Sequence, residues 1–197
     1  GFETISIALD AASEDVFDRV RGKIRGNRFT WPRTLSAIEE SREVFGWNYT
    51  HIIVGLGERD RDLYNIMRYM KGIDVGTALF AYTPIPSPNA PAEGPPDIVR
   101  YHTIQLMRHL IYMDVSPFKP EFADSGKLIS LGIDHERLMD HLDTWHIPQA
   151  FMTSGCPECT RPYYNERPQG PMYNYPYIPE RDIAEGILND MKAKGVI

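Results

Sequence analysis

Cysteine is nearly absent: the 197 residues hold two, Cys156 and Cys159. Two thiols cannot build a disulfide framework, so the core must hold itself together by burial. Excess positive charge is missing as well. The formal net charge is −6, and no basic stripe offers itself to phosphates, which argues against nucleic acid as the main partner. No apolar run approaches the roughly 20 residues a membrane helix needs. The opening GFETISIALD has no basic region of the kind that starts a signal peptide. The expectation is a cytoplasmic protein. With 42% apolar and 24% charged residues, the composition is that of a folded globular domain with a sizeable core.

Apolar runs alternate with helical patterns. TISIAL (4–9) reads as a strand and SEDVFDRVRGKI (13–24) as a helix with Ser13 as N-cap. TWPRTLSAIEESREVFG (30–46) reads as a helix with Leu35, Ile38 and Val44 inward and Gly46 as C-cap. THIIVGLG (50–57) reads as a strand, a continuous apolar run of the kind a sheet buried on both faces shows. ERDRDLYNIMRYMKG (58–72) follows as a helix and VGTALFAYTPIP (75–86) as a strand. The stretch 83–97 holds six prolines and reads as a long connection; DIVRYHTIQLMRHLIYM (97–113) is the strongest helical pattern. GKLISLG (126–132) and PQAFMTSG (148–155) read as strands, DHERLMDHLDTW (134–145) and ERDIAEGILNDMKAKG (180–195) as helices. Strand–helix repetition implies α/β architecture with a parallel sheet and right-handed crossovers. The expected fold is the second half of a (β/α) barrel over 1–155 with a cysteine-containing tail and closing helix over 156–197, or a smaller doubly wound sheet. Both folds bind ligands at the C-terminal ends of the strands. That rule selects Asp10, Gly55–Glu58, Thr83, Ser130–Gly132 and 153–161 for one rim. The chain opens inside a strand without a cap or turn, so it is expected to be the C-terminal part of something longer.

Three motifs bear on chemistry. In HIIVGLGERD (51–60), a strand runs through Gly55 and Gly57 towards a helix. Glycines there let backbone pass close to a flat ligand, though a tight turn needs them equally. A third glycine is missing, so this is not the dinucleotide fingerprint. Asp10 ends the first strand, where a carboxylate can accept from ribose hydroxyls or serve as a turn residue. Cys156 and Cys159, in TSGCPECTRPYYNERPQGPMYNYP (153–176), are too few for a closed zinc site. A redox pair would start a helix, and the Pro-rich context fits a loop better. Ligation of an iron–sulfur cluster with help from other residues, and two unrelated thiols, both stay open. The RPYYNERP run (161–168) reads as a loop over a site or one packed by its own rings, and PMYNYP (171–176) as packing against the barrel. His102 and His109 share a helix face and read as buried or surface histidines; Asp140 and Asp143 read as a solvated face.

ISIALDAASEDVFDRVRG, HIIVGLGERDRDLY and LFAYTPIP, spaced as they are, resemble the second half of a radical S-adenosylmethionine enzyme barrel, of the biotin synthase and lipoyl synthase branch. The resemblance covers nearly the whole chain. The family's adenine-contacting G-x-I-x-G-x-x-E falls on 51–58: Ile53, Gly55 and Glu58 match, and His51 replaces the first glycine. Asp10 falls where the family's ribose-binding Asp ends the preceding strand. Arg28 or Arg33 falls near the residue that meets the methionine carboxylate. The tail resembles biotin synthase-related proteins, including archaeal-type two-component lipoyl synthases, which implies that Cys156 and Cys159 help bind an auxiliary [4Fe-4S] cluster. The implied activity is radical sulfur insertion into an unactivated C–H bond; for a lipoyl-type member the substrate is an octanoyl chain on a lipoyl carrier protein. The family's C-x-x-x-C-x-x-C for the catalytic cluster is not in this chain. An N-terminal half or sister subunit is therefore an implied partner, and the chain alone is expected to be inactive. The rival readings are a non-catalytic metal-binding or interaction module and a biotin synthase-like enzyme with another substrate. An aldolase-like barrel is disfavoured by the scarcity of lysines at strand ends.

Overall fold

The computed structural model describes residues 4–84, 94–155 and 170–197. The chain clusters into two compact units that interleave in sequence. The first takes 4–58, 65–84, 94–96 and 154–155; the second takes 59–64, 97–153 and 170–197.

In the first unit three parallel strands, β1 (Thr4–Ser6), β2 (Trp47–Val54) and β3 (Gly76–Ala81), lie in sequence order. Thr4 pairs with Trp47, and Ile53 pairs with Phe80. The helices α1 (Glu14–Val20) and α2 (Trp31–Val44) connect β1 to β2, and α3 (Asp60–Gly72) connects β2 to β3. Right-handed crossovers between strands laid down in one direction put every connecting helix on the same sheet face. Burial agrees with single-sided winding and departs from the expectation of a sheet buried on both faces. Along β2, Asn48, Thr50, Ile52 and Val54 are buried, while Tyr49, His51 and Ile53 are only half-buried. Asn48 Nδ2 on the buried face donates to Ser41 Oγ of α2 at 2.8 Å. Among the described residues the sheet stays open at three strands and closes no barrel.

Several expectations needed correction. In α2, Ile38 is buried as expected, but its buried companion is Thr34, and Leu35 is only half-buried. Val44, the last residue of the helix, is 76% exposed. The α2 cap is Phe45 in extended backbone, not Gly46. Ser13 caps α1 by position, but its hydroxyl donates to Asp15 instead of closing the helix. The α3 face of Leu63, Ile66, Met67 and Met70 is buried as its pattern requires.

The second unit is organised round α4 (Ile98–Tyr112), ten of whose residues are buried. It packs against α6 (Arg181–Ala193) and a 3₁₀ segment at Ile147–Phe151. That segment was expected to be a strand. A short apolar run carries no period that separates strand from helix, and Pro148 in its first turn suits a helical start. Leu128–Ser130 is a strand, but as β5 it pairs antiparallel with the two-residue β4 (Glu121–Phe122). Leu128–Ser130 is therefore not a strand of the parallel sheet, contrary to the expectation that placed Ser130–Gly132 at its strand ends. The helix α5 (His135–Asp140) is shorter than expected and is capped by Asp134, which accepts from the Arg137 amide at 2.8 Å. Among the described residues, no helix is long and apolar enough to cross a membrane.

Candidate functional site at the strand ends

β1 and β2 converge on Asp10. Beyond β1 the chain rejoins β2: the Asp10 amide donates to His51 O at 2.7 Å, and Ile53 N donates to Asp10 O at 2.8 Å. This seats Asp10 beside Ile52, just before the Gly55 loop. Asp10 has φ of 64°, a left-handed conformation that Asp tolerates better than most residues. Its carboxylate accepts from Arg21 Nη1 at 2.5 Å, and the same nitrogen donates to Ala8 O at 2.6 Å. The Arg21 guanidinium also lies over the Phe29 ring, 5.5 Å from its centroid. The ion pair is about one-third exposed on each side.

The turn after β2 is shaped by Glu58. Its carboxylate accepts from Gly55 N at 3.0 and 3.2 Å and from Leu56 N at 2.7 Å. Glu58 is itself buried. It lies outside α3, contrary to the expectation that it opens that helix; Asp60 is the first helical residue. The carboxylate turns back into the loop and satisfies amides that would otherwise be orphaned. Gly55 has φ of 106° and Gly57 of 88°. A Cβ at Gly55 would meet Tyr82 Cβ and Pro96 Cδ, each at 3.1 Å. Glycine is needed there for both conformation and space. Glu58→Gln puts an NH₂ group against a backbone amide. We expect it to destabilise the first unit by about 1–3 kcal/mol, read as a lower urea midpoint with unchanged m-value.

Ile53 is half-buried on the open face of the sheet, opposite Phe80 in the β3 register. His51 shares that face, with Nε2 3.0 Å from Ser6 Oγ and its ring 5.0 Å from Phe80. A ligand lying on the open face would meet these side chains. Arg28 is exposed in the loop before α2, its amide bonded to Asn27 Oδ1, and Arg33 is exposed in the first turn of α2. Neither is joined to Asp10 by an observed contact. The cation that is joined to it, Arg21, has no spacing signal in the sequence. It follows α1 at the helix end, and only the fold brings it to Asp10.

Cys156, Cys159 and the 161–168 run lie outside the described residues. Ser154 lies beside β3, its hydroxyl accepting from Leu79 N at 2.9 Å. In the second unit Tyr175 bridges Met152 in parallel: Thr153 N donates to Tyr175 O, and Tyr175 N to Phe151 O, both at 2.9 Å. PMYNYP packs as expected, but against α4. Asn174 Oδ1 accepts from Tyr101 OH at 2.9 Å and Gln105 Nε2 at 3.0 Å. His102 and His109 are buried, each with Nε2 on a backbone carbonyl. Among the described residues, no group of three or more His, Cys, Asp or Glu is arranged to hold a metal ion. Comparisons with protein-family models, curated proteins and solved structures find no match.

Proposed function

We propose that the chain is part of a radical S-adenosylmethionine enzyme of the sulfur-inserting type, and that the ends of its parallel strands form part of the S-adenosylmethionine site. One observation carries most weight: Asp10, beyond β1, is joined by backbone hydrogen bonds to the end of β2, directly before the glycine loop held by Glu58. These are the positions that the resemblance assigns to ribose and adenine recognition. Single-sided winding of β1, β2 and β3 supports a portion of a (β/α) barrel over a doubly wound sheet.

In this reading the Asp10 carboxylate, with one oxygen on Arg21, accepts from ribose hydroxyls through the other. The Gly55–Gly57 backbone lies against the adenine, and Ile53 supplies an apolar contact. Glu58 acts through the loop it shapes. Arg21 joins Arg28 as a partner for the ligand's carboxylate, with the advantage of being already fixed by Asp10, Ala8 and Phe29. When bound, S-adenosylmethionine supplies the means to abstract hydrogen from an unactivated C–H bond. The catalytic cluster does not fit this chain, whose two cysteines are not in C-x-x-x-C-x-x-C; its ligands come from an N-terminal half or a sister subunit. Cys156 and Cys159 serve an auxiliary iron–sulfur cluster, and the octanoyl-type substrate follows from the resemblance alone.

The test is an anaerobic titration of S-adenosylmethionine into the longest natural form of the protein. Asp10→Asn is expected to weaken binding about tenfold, the equivalent of one good hydrogen bond. Arg21→Gln breaks the same ion pair and removes a proposed partner of the ligand's carboxylate, so it too should weaken binding; an unliganded thermal midpoint of Asp10→Asn equal to that of the wild type separates ligand contact from loop stability. Equal affinity in wild type and Asp10→Asn overturns the ribose role. In the same preparations, Cys156→Ala with Cys159→Ala should remove part of the iron but not all of it; unchanged iron overturns the ligand assignment.

A further inference from the structure

We propose that the second unit carries a separate binding site for a small organic carboxylate with an apolar body. Between α4, β5 and the end of the chain lies a cavity of about 370 Å³. That is within the 300–1,000 Å³ range of small-molecule sites. Val99, Ile104, Leu128, Ile129 and Val196 give it apolar walls. Ile129 stands at its edge, 53% exposed.

The charged groups in the wall are Asp60, Asp97, Arg100, Lys127 and Lys194. Both carboxylates are already engaged. Asp60 takes Arg100 Nε at 2.8 Å and Leu128 N at 2.9 Å. Asp97 caps α4 by accepting from Arg100 N at 3.1 Å. Arg100 is therefore neutralised by Asp60, whereas Lys127 and Lys194 are exposed and form no ion pair among the described residues. Two uncompensated ammonium groups beside an apolar pocket, on a chain of net charge −6, select an anionic head with an apolar tail. Long lysine side chains can lay their stems along such a tail and keep the charge at the water boundary. The site depends on no part of the sulfur-insertion reading, since it uses neither the strand ends nor the cysteines.

The experiment is calorimetric titration of the full chain with 4-phenylbutyrate, its neutral amide, and inorganic phosphate. Saturable binding of the carboxylate is expected, with the amide and phosphate each bound much more weakly. A Lys127→Gln/Lys194→Gln double variant should bind roughly tenfold more weakly, the sum of two exposed charge contacts, and wild-type binding should weaken with added salt. Ile129→Glu, at an exposed position, should abolish binding without lowering the thermal midpoint. No saturable binding of 4-phenylbutyrate overturns the proposal. So does equal binding of the amide, which removes the role of charge, or equal binding of phosphate, which removes that of the apolar body. Unchanged affinity in the lysine double variant overturns the assignment as well.

Discussion

Asp60→Ala is expected to destabilise the second unit by about 3 kcal/mol, the low end of the range for breaking a buried ion pair. Asp60 is only 7% exposed, and its carboxylate joins two elements. Arg100 of α4 donates to one oxygen, and the Leu128 amide of β5 to the other. Removing it takes one ion-pair partner from the Arg100 guanidinium and the acceptor from a buried amide, and each loss carries a desolvation penalty. The low end applies because the Arg100 side chain is 30% exposed, so water recovers part of the loss. Asp60 also stands in the first turn of α3 with Asp62, where negative charge favours the helix start. Asp60→Asn keeps one carbonyl oxygen for one of the two donors and should cost about half as much. Urea unfolding gives the midpoint, and amide exchange at Leu128 gives the local readout. Exchange at Leu128 should accelerate in Asp60→Ala even under conditions where both proteins are fully folded. An unchanged midpoint and unchanged exchange would mean that the bridge carries no net stability.

What could be read from the sequence depended on how local its cause was. β2 and α3 were legible because each carries its own signal: a continuous apolar run for the strand, and four buried residues at helical spacing for the helix. Asp10 and Gly55 could be assigned to one rim because strand–helix alternation dictates parallel strands, whose C-terminal ends share an edge. The partner of a strand is not local. Leu128–Ser130 reads as a strand, but nothing in three residues says that it pairs antiparallel with Glu121–Phe122 instead of joining the parallel sheet. For Arg21 the missing cue was tertiary, because its pairing with Asp10 depends on where α1 ends against β1. Glu58 was expected to open α3; that it instead turns back into the glycine loop and satisfies two amides appears only with the turn folded. The division into two units has no signature in the sequence because it is not a cut along the chain: 59–64 group with one unit and 65–84 with the other, within α3. Lys127 and Lys194 are ordinary surface lysines until folding brings β5 and the chain end to one cavity.

Mild acid is expected to destabilise the second unit through His102. Burial on α4 pushes its pKa down to about 4, against smaller upward pulls from the Met172 carbonyl, Asp190 and the Tyr173 backbone. The ring is enclosed by the edge of Phe151 at 5.5 Å and by the Met172 oxygen at 3.1 Å. An unfolded chain has its histidine near pH 6.5. Between about 6.5 and about 4 the unfolded state therefore holds a proton that the folded state refuses, and stability falls with falling pH. Above that window His102 is neutral in both states and contributes no slope; below it both states are protonated and the slope ends. A shift of this size corresponds to about 3 kcal/mol across the window. His109 is shifted down for the same first reason, burial, and adds in the same direction, with Arg108 and His146 pushing it further and the Trp145 carbonyl opposing. His102→Phe separates the effect from carboxylate titration, because the carboxylates contribute equally to both proteins. The variant loses the bond to Met172 O and starts less stable near neutral pH, so the quantity to compare is the slope of the urea midpoint from about pH 7 to about pH 5. A flatter slope in His102→Phe is the expected result. Parallel slopes would mean that His102 takes up its proton in the folded state, which would require a ring open to water beside α4.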